Sequence, residues 1–232
     1  MKNAVAINGS PLMERGETAL VLDSFIQGMH DAGSEIEQFY ASRLDIKPCS
    51  CGTMYCWSED PGQCCIKDDM QGLLARLKAA ETLVLATPVY IPLPGAMQNL
   101  INRLCPLIDP YLENREGRTR ARFREDVHIR TIVLVSTSGW WEAENMGTVV
   151  HIADELARNA GVEFAGAVLR PHAFMMRKKG VLTEDGKAVL DAVRRAGCEL
   201  ASKGVMNEGT LEAVRRPLIA EDELRQRYNQ GR

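Results

Sequence analysis

No apolar run in this 232-residue chain approaches the roughly 20 residues that a membrane-spanning helix needs. The N-terminal apolar run, NAVAI at 3–7, is too short for the hydrophobic region of a secretory signal. Neither charge dominates: 28 Lys and Arg stand against 31 Asp and Glu, a net charge of -3. That balance gives no reason to expect a nucleic-acid partner. The Walker A pattern, with its Gly-Lys-Ser/Thr ending, is missing, and G-x-G-x-x-G occurs nowhere. The four histidines are scattered without motif company and read as structural. Seven cysteines are an odd and unevenly spread set, which argues against a disulfide framework. Together these absences lead us to expect a cytoplasmic protein with reduced thiols. What remains is ordinary globular composition, 45% hydrophobic and 25% charged.

Short apolar runs alternate with amphipathic stretches. AVAING, TLVLATPVY, IRTIVLVSTSG and VEFAGAVLR have the form of buried parallel strands, and SEIEQFY is a looser one. Between them lie helical patterns: TALVLDSFIQGMHDAG, DDMQGLLARLKAAE with Asp68 or Asp69 as its cap, PGAMQNLINRLCPLI, AENMGTVVHIADELARNAG and TEDGKAVLDAVRRAGCELASKG. Such alternation predicts an α/β fold: a doubly wound five-stranded parallel sheet with helices on both faces, as in flavodoxin-like domains. Two additions stand out. Residues 110–128 form an arginine-rich insertion, and residues 205–232 a charged C-terminal extension ending in a short helix, EDELRQRY.

In a doubly wound sheet, ligands bind beyond the carboxyl ends of the strands. Three turns occupy that rim. NGSPLMERGET follows strand one. Its hydroxyls, Gly16 and the free N–H groups of the next helix suit an anion, or else form a simple polar turn capped by Thr18. With no lysine there, a monophosphate ester is the better guess. ATPVYIPLPG is stiffened by three prolines and presents Tyr90. STSGWWEAEN places two tryptophans beside backbone donors, which suits a planar heterocycle; the rings would equally suit a subunit interface.

These loops, in this order, resemble those of the flavodoxin-like NAD(P)H-dependent FMN reductases, including the iron–sulfur flavoproteins. The likeness is carried by NGSP…GET at 8–18, the cysteine segment at 51–70 with PGQC and DDM, LATPVY at 85–90 and NLINR at 99–103. It implies that residues 1–204 form an FMN-binding domain, with NAD(P)H as co-substrate and a small molecule or protein as electron acceptor. Ser10, Leu12, Gly16, Thr18 and Ala19 would surround the phosphate. Pro88, Val89, Tyr90 and Ile91 would line the isoalloxazine, and Thr137, Ser138, Gly139 and Trp140 would form a third wall. Backbone N–H groups of the second and third loops would stabilise charge on the reduced flavin, so no catalytic side chain is expected. A homodimer or homotetramer is implied as well. The family often has Asn at the position of Glu17, and its side chain is not expected to bind phosphate. It often has Asp-Arg where this chain has Asn102-Arg103, so that ion pair would be weakened.

Five cysteines crowd into residues 48–70: Cys49, Cys51, Cys56, Cys64 and Cys65. In the iron–sulfur relatives the segment resembles C-x₂-C-x₂-C followed by a fourth cysteine. Only Cys56 and Cys64 fall into that register, with Thr53 and Ser50 at the other ligand positions. A cluster-free loop is therefore expected, with no metal ligands assigned. An iron–sulfur electron carrier and a non-catalytic flavin-binding redox sensor remain the alternatives. Zinc would need paired C-x₂₋₄-C, and the adjacent Cys64 and Cys65 suit it poorly. Arg115, Arg118, Arg120, Arg122 and Arg124 could meet a nucleotide's phosphates, but such a run reads better as a solvated loop or subunit contact.

Overall fold

In the computed structural model, which describes residues 3–230, strand β1 (Asn3–Asn8) is buried from Ala4 onward. Its side chains alternate between two cores. Val5 and Ile7 enter one, and Ala4 and Ala6 the other. A strand with both faces covered needs apolar residues at every position, so the run is continuous rather than alternating. Helix α1 (Glu17–Asp31) and β2 (Glu35–Tyr40) follow, then a long loop holding the short helix α2 (Tyr55–Ser58). Next come α3 (Met70–Ala79), β3 (Thr82–Pro88) and α4 (Gly95–Asn102). A hairpin, β4 (Ile108–Arg115) and β5 (Arg118–Phe123), precedes β6 (Thr131–Thr137). Then α5 (Gly147–Ala160) and β7 (Glu163–Arg170) complete the sheet. A two-residue ribbon, β8 (Arg177–Lys178) with β9 (Val181–Leu182), leads into α6 (Glu184–Lys203), α7 (Glu208–Arg215) and α8 (Glu221–Gln230).

Five parallel strands run in the order β2-β1-β3-β6-β7. This is the expected doubly wound sheet. Its first loop sits at the switch point, where the order reverses from β1 to β3. One face is covered by residues of α3, α4 and α5, including Leu77, Leu100 and Ala157. The other is covered by α1 and α6, through Phe25, Met29, Val189 and Val193. Met206 and Val214 of the C-terminal segment are buried in that second core.

Helices α1 and α6 touch backbone to backbone because each sets a glycine against the other's main chain. A Cβ on Gly28 would lie 1.8 Å from the Arg194 carbonyl oxygen, and one on Gly197 would lie 2.1 Å from that of Phe25. Gly28→Ala is therefore expected to lower stability by about 1–3 kcal/mol, despite its better helix propensity. Gly72→Ala, on an exposed stretch of α3 with nothing near the new methyl, is expected to raise it by about 0.5–1 kcal/mol. Urea unfolding of both variants checks the pair; equal midpoints would show that the α1–α6 contact is loose.

The arginine-rich insertion is the β4–β5 hairpin, not a solvated loop. Arg115 donates to the carbonyls of Arg158 and Asn159, closing the C-terminus of α5. Arg120 grips Glu155 of α5 in a two-pronged pair. Arg118 approaches Glu155, Arg124 approaches Asp126 and Arg122 lies over the Tyr111 ring. All five arginines thus have partners within the chain, which weighs against the phosphate role. The cap of α3 also resolves. Asp68 accepts from Met70 N–H at 3.1 Å, while Asp69 accepts from Asp45 N–H. Among the described residues, no helix is long and apolar enough to cross a membrane.

Candidate functional site

The first loop leaves β1 through Asn8, whose buried Oδ1 accepts the Ser10 N–H at 2.8 Å. Ser10 Oγ in turn accepts the Leu12 N–H. The turn is tight around Gly16: a Cβ there would meet Ser10 Oγ at 3.0 Å and Leu12 Cβ at 3.1 Å. Ala19, by contrast, donates its N–H back to Gly16 and is fully buried. It supports the loop from behind. The N–H groups of Glu17 and Thr18 open α1 and find no acceptor among the described residues. Asn8 Nδ2 is likewise buried without a partner there. Unpartnered donors at the start of a helix are what an anion needs. The Glu17 carboxylate turns aside, toward Arg177 at 3.5 Å. Burial raises its pKa, and Arg177 partly offsets this.

The third loop is latched to the first. Thr18 Oγ1 and Thr137 Oγ1 lie 2.7 Å apart and both are buried. The second loop is tied in as well, since Val89 N–H donates to the Thr137 carbonyl at 2.9 Å. The structure thus brings the three sequence-predicted loops onto one rim. The donors divide. Val89, Tyr90 and Ser138 have their N–H groups already engaged, to Thr137, Pro92 and Arg170 carbonyls. Those of Ile91, Gly139 and Trp140 find no acceptor among the described residues. Leu12, Tyr90, Ile91 and Trp140 are exposed on this rim, an unusual concentration of large apolar groups. Pro88 and Val89 are half-buried behind them. Trp141 turns away. It stacks on His172 and donates to the Ile219 carbonyl at 2.9 Å.

A buried basic group underlies the third loop, and the sequence reading missed it. Arg170 is fully buried with no carboxylate partner. It donates to the carbonyls of Pro171, Val214 and Arg216. Burial, with Arg216 nearby, lowers its pKa to about 10. Its carbonyl receives the Ser138 N–H, so the guanidinium and the loop are one unit.

The cysteine segment folds against the same end of the sheet. Cys49, Cys51, Cys56, Cys64 and Cys65 line one small cavity, joined by Cys105 from the turn after α4. The sequence reading missed Cys105 because it lies far along the chain. Cys51 Sγ accepts the Tyr55 N–H at 2.8 Å, which lowers its pKa. Burial, then the neighbouring thiols, push Cys105 up to about 12. Arg103 reaches Cys64 Sγ at 3.3 Å. Its ion pair is with Asp68 at 2.7 Å rather than with position 102, so it is not weakened by Asn102. Among the described residues, no three His, Cys, Asp or Glu side chains close on a single metal ion.

A doubly wound sheet with three linked loops at its switch point defines a flavodoxin-like protein. The chain belongs to the NADPH-dependent FMN reductase family, whose sequence pattern matches residues 3–180. A curated iron–sulfur flavoprotein of Archaeoglobus fulgidus is 32% identical over 105 residues, 44% of this chain and 46% of that protein. The chain spans about half the length of the curated relatives it matches. Among solved structures, an NAD(P)H:quinone oxidoreductase from Methanothermobacter marburgensis superposes with a TM-score of 0.64. The identity is 18%, covering 86% of this chain and 98% of that one. An FMN-dependent NADH-azoreductase from Bacillus anthracis, solved with FMN, gives 0.60 at 15% identity, covering 86% and 100%. These two likenesses bear on the fold.

Proposed function

We propose that the protein is an FMN-dependent NAD(P)H oxidoreductase, passing electrons from a nicotinamide nucleotide to a second acceptor. The observation that carries this is the pair of unpartnered N–H groups at Glu17 and Thr18, in a loop latched by Thr18 to the aromatic third loop. The residues fit FMN. Ser10, Leu12, Gly16 and Thr18 would hold its phosphate, with Ala19 behind them. Pro88, Val89, Tyr90 and Ile91 would face one side of the ring system, and Thr137, Ser138, Gly139 and Trp140 another. Bound FMN would supply hydride acceptance and electron release. The chain's part is to place it and to aim the N–H groups of Ile91, Gly139 and Trp140 at developing negative charge. That role does not need a titrating side chain. Seven unpaired cysteines suit a cytoplasmic setting, and the family likeness supports a homodimer or homotetramer, which size-exclusion chromatography with light scattering would decide.

The test is spectroscopic. The purified protein should be yellow, or become so with added FMN, and NADH or NADPH should bleach it anaerobically. A protein that stays colourless with excess FMN would end this reading. Thr18→Val, which removes the latch hydroxyl and keeps the shape, is expected to weaken FMN binding about tenfold. Flavin fluorescence titration measures it, and unchanged affinity would show that the latch is dispensable.

A second reading has its own observation. Six thiols around one cavity are more than a structural loop needs, and four thiolates suffice for an iron–sulfur cluster. A four-iron cluster distributes its ligands over several irons, so a wrong linear spacing does not exclude it. The cavity, about 20 Å³, has room for roughly one water, so cluster ligands would have to turn outward from it. In this reading four of the six cysteines hold a cluster that relays electrons to or from the flavin. Anaerobic reconstitution with iron and sulfide, followed by iron analysis of the wild type and Cys56→Ser, separates the two. Failure to take up iron leaves the cluster-free loop.

A further inference from the structure

The family pattern stops at residue 180, yet the chain beyond it returns to the third loop. Tyr228 of α8 donates its hydroxyl to the Gly139 carbonyl at 3.2 Å. Its ring lies 5.8 Å from that of Trp140 and 6.1 Å, edge-on, from that of Phe174. The fit at Gly139 is close: a Cβ there would stand 3.0 Å from the Tyr228 hydroxyl. Between α8 and the loop opens a cavity of about 330 Å³. Trp140, Trp141, Tyr228 and Leu224 form its apolar lining. That volume is at the lower end for small-molecule sites and suits one or two fused rings.

The charged lining is acidic. Glu142 and Glu221 face the cavity, and the only cation among its described lining residues is Arg225. That guanidinium is already held by Glu221 and Asp222. Glu142 accepts a hydrogen bond from the Asn145 amide at 2.9 Å and has no ion pair among the described residues. An anionic ligand would therefore meet the Glu142 carboxylate, which only Asn145 Nδ2 contacts among the described residues, and no free cation. A pyridine nucleotide, with its phosphates, is the wrong occupant. Aromatic rings without a free cation suit a flat ligand that is neutral or positive.

We propose that this cavity binds the second substrate, a planar aromatic oxidant without negative charge, and that α8 selects it. This rests on the flavoprotein reading, because Trp140 is shared between the cavity and the flavin wall. For a naphthoquinone the step balances simply. The nucleotide's hydride brings two electrons and one proton, solvent brings the second proton, and the quinone leaves as hydroquinone.

The probes are 2-methyl-1,4-naphthoquinone, which is neutral, and 1,2-naphthoquinone-4-sulfonate, which is anionic. With the FMN-loaded full chain, kcat/KM is expected to favour the neutral probe by about tenfold or more. Tyr228→Ala, assayed with saturating FMN, should raise KM for the neutral probe about tenfold, a larger change than in its anaerobic reduction by the nucleotide. Tyr228→Phe, which keeps the ring, should hold the wild-type KM. Glu142→Gln combined with Glu221→Gln should narrow the preference to about threefold or less. An unchanged KM in Tyr228→Ala, or a preference that ignores the two glutamines, overturns the proposal. Quenching of tryptophan fluorescence by the neutral probe needs no flavin. If FMN fails to bind but quenching occurs and weakens in Tyr228→Ala, the flavoprotein reading falls and the cavity stands. If FMN binds and quenching is the same in wild type and Tyr228→Ala, the cavity falls alone.

Discussion

Arg103→Met is expected to lower the unfolding free energy by about 3–5 kcal/mol, a larger loss than Gly28→Ala should cause. Arg103 is 1% exposed and the Asp68 side chain fully enclosed. The guanidinium meets both carboxylate oxygens, at 2.7 and 3.0 Å, and also donates to the Lys47 carbonyl at 2.8 Å. Burial pushes the Asp68 carboxyl up. The Arg103 fork, with the N–H groups of Lys47 and Met70, outweighs it and holds the pKa below its usual value. Methionine matches the length of the side chain and leaves the carboxylate enclosed without a cation. The long loop between β2 and α3 would lose its anchor together with the cap of α3. Urea denaturation measures the loss. Arg103→Met with Asp68→Asn should recover part of it, because the stranded charge is gone. A loss under about 1 kcal/mol in the single variant would mean that water reaches the pair.

Acid should loosen the packing beneath the third loop. His172 is fully buried, and its Nε2 accepts the Leu218 N–H at 3.1 Å, which requires the proton on Nδ1. Arg170 donates to the same nitrogen. Burial first, then the Arg170 charge, lower the pKa to about 4. An unfolded histidine titrates near 6.5, so between about pH 6.5 and pH 4 the unfolded chain binds a proton that the folded chain refuses. Stability is therefore complete above pH 6.5 and is lost as the pH falls toward 4, by about 3 kcal/mol. Below pH 4 this contribution is flat. Urea midpoints at pH 7, 5.5 and 4.5 should show the slope, and His172→Gln should lack it while being less stable at pH 7. Parallel slopes in the two proteins would assign the acid response to other groups. The Leu218 contact breaks on protonation, so acid loosens the segment leading to α8.

The sheet was legible because strands covered on both faces must be apolar throughout. TLVLATP and TIVLVST have no other plausible place. The three rim loops followed from topology alone, since the carboxyl ends of such strands share one edge. In sequence the β4–β5 hairpin reads as a charged insertion because its arginines dominate the composition. Its alternation, Arg118-Thr119-Arg120-Ala121-Arg122-Phe123, buries Ala121 and Phe123 and was the available signal. Arg103–Asp68, Thr18–Thr137, Cys105 and Tyr228 were not legible in the same way. Each pairs residues far apart in the chain, and neither periodicity nor spacing encodes such a meeting. The positions of Thr18, Ser138 and Val89 could be placed on the rim from sequence, but which of their hydrogen-bonding groups remain free is a property of the packed loops.

The contact of α1 with α6 also bears on how the chain is made. Helix α6, at Glu184–Lys203, lies wholly beyond the family pattern, yet it supplies Val189, Val193 and Leu200 to the core over α1. All five sheet strands are synthesised before it. A nascent chain that has emerged only to residue 180 therefore carries a sheet whose second face is covered by α1 alone, with the α6-facing sides of Phe25 and Met29 still open to water. Ribosomal pausing just downstream would leave that apolar face available to neighbouring chains, as expected of partly folded intermediates. Helix α6 works as a seal, and translation speed through its codons sets how long the seal is missing.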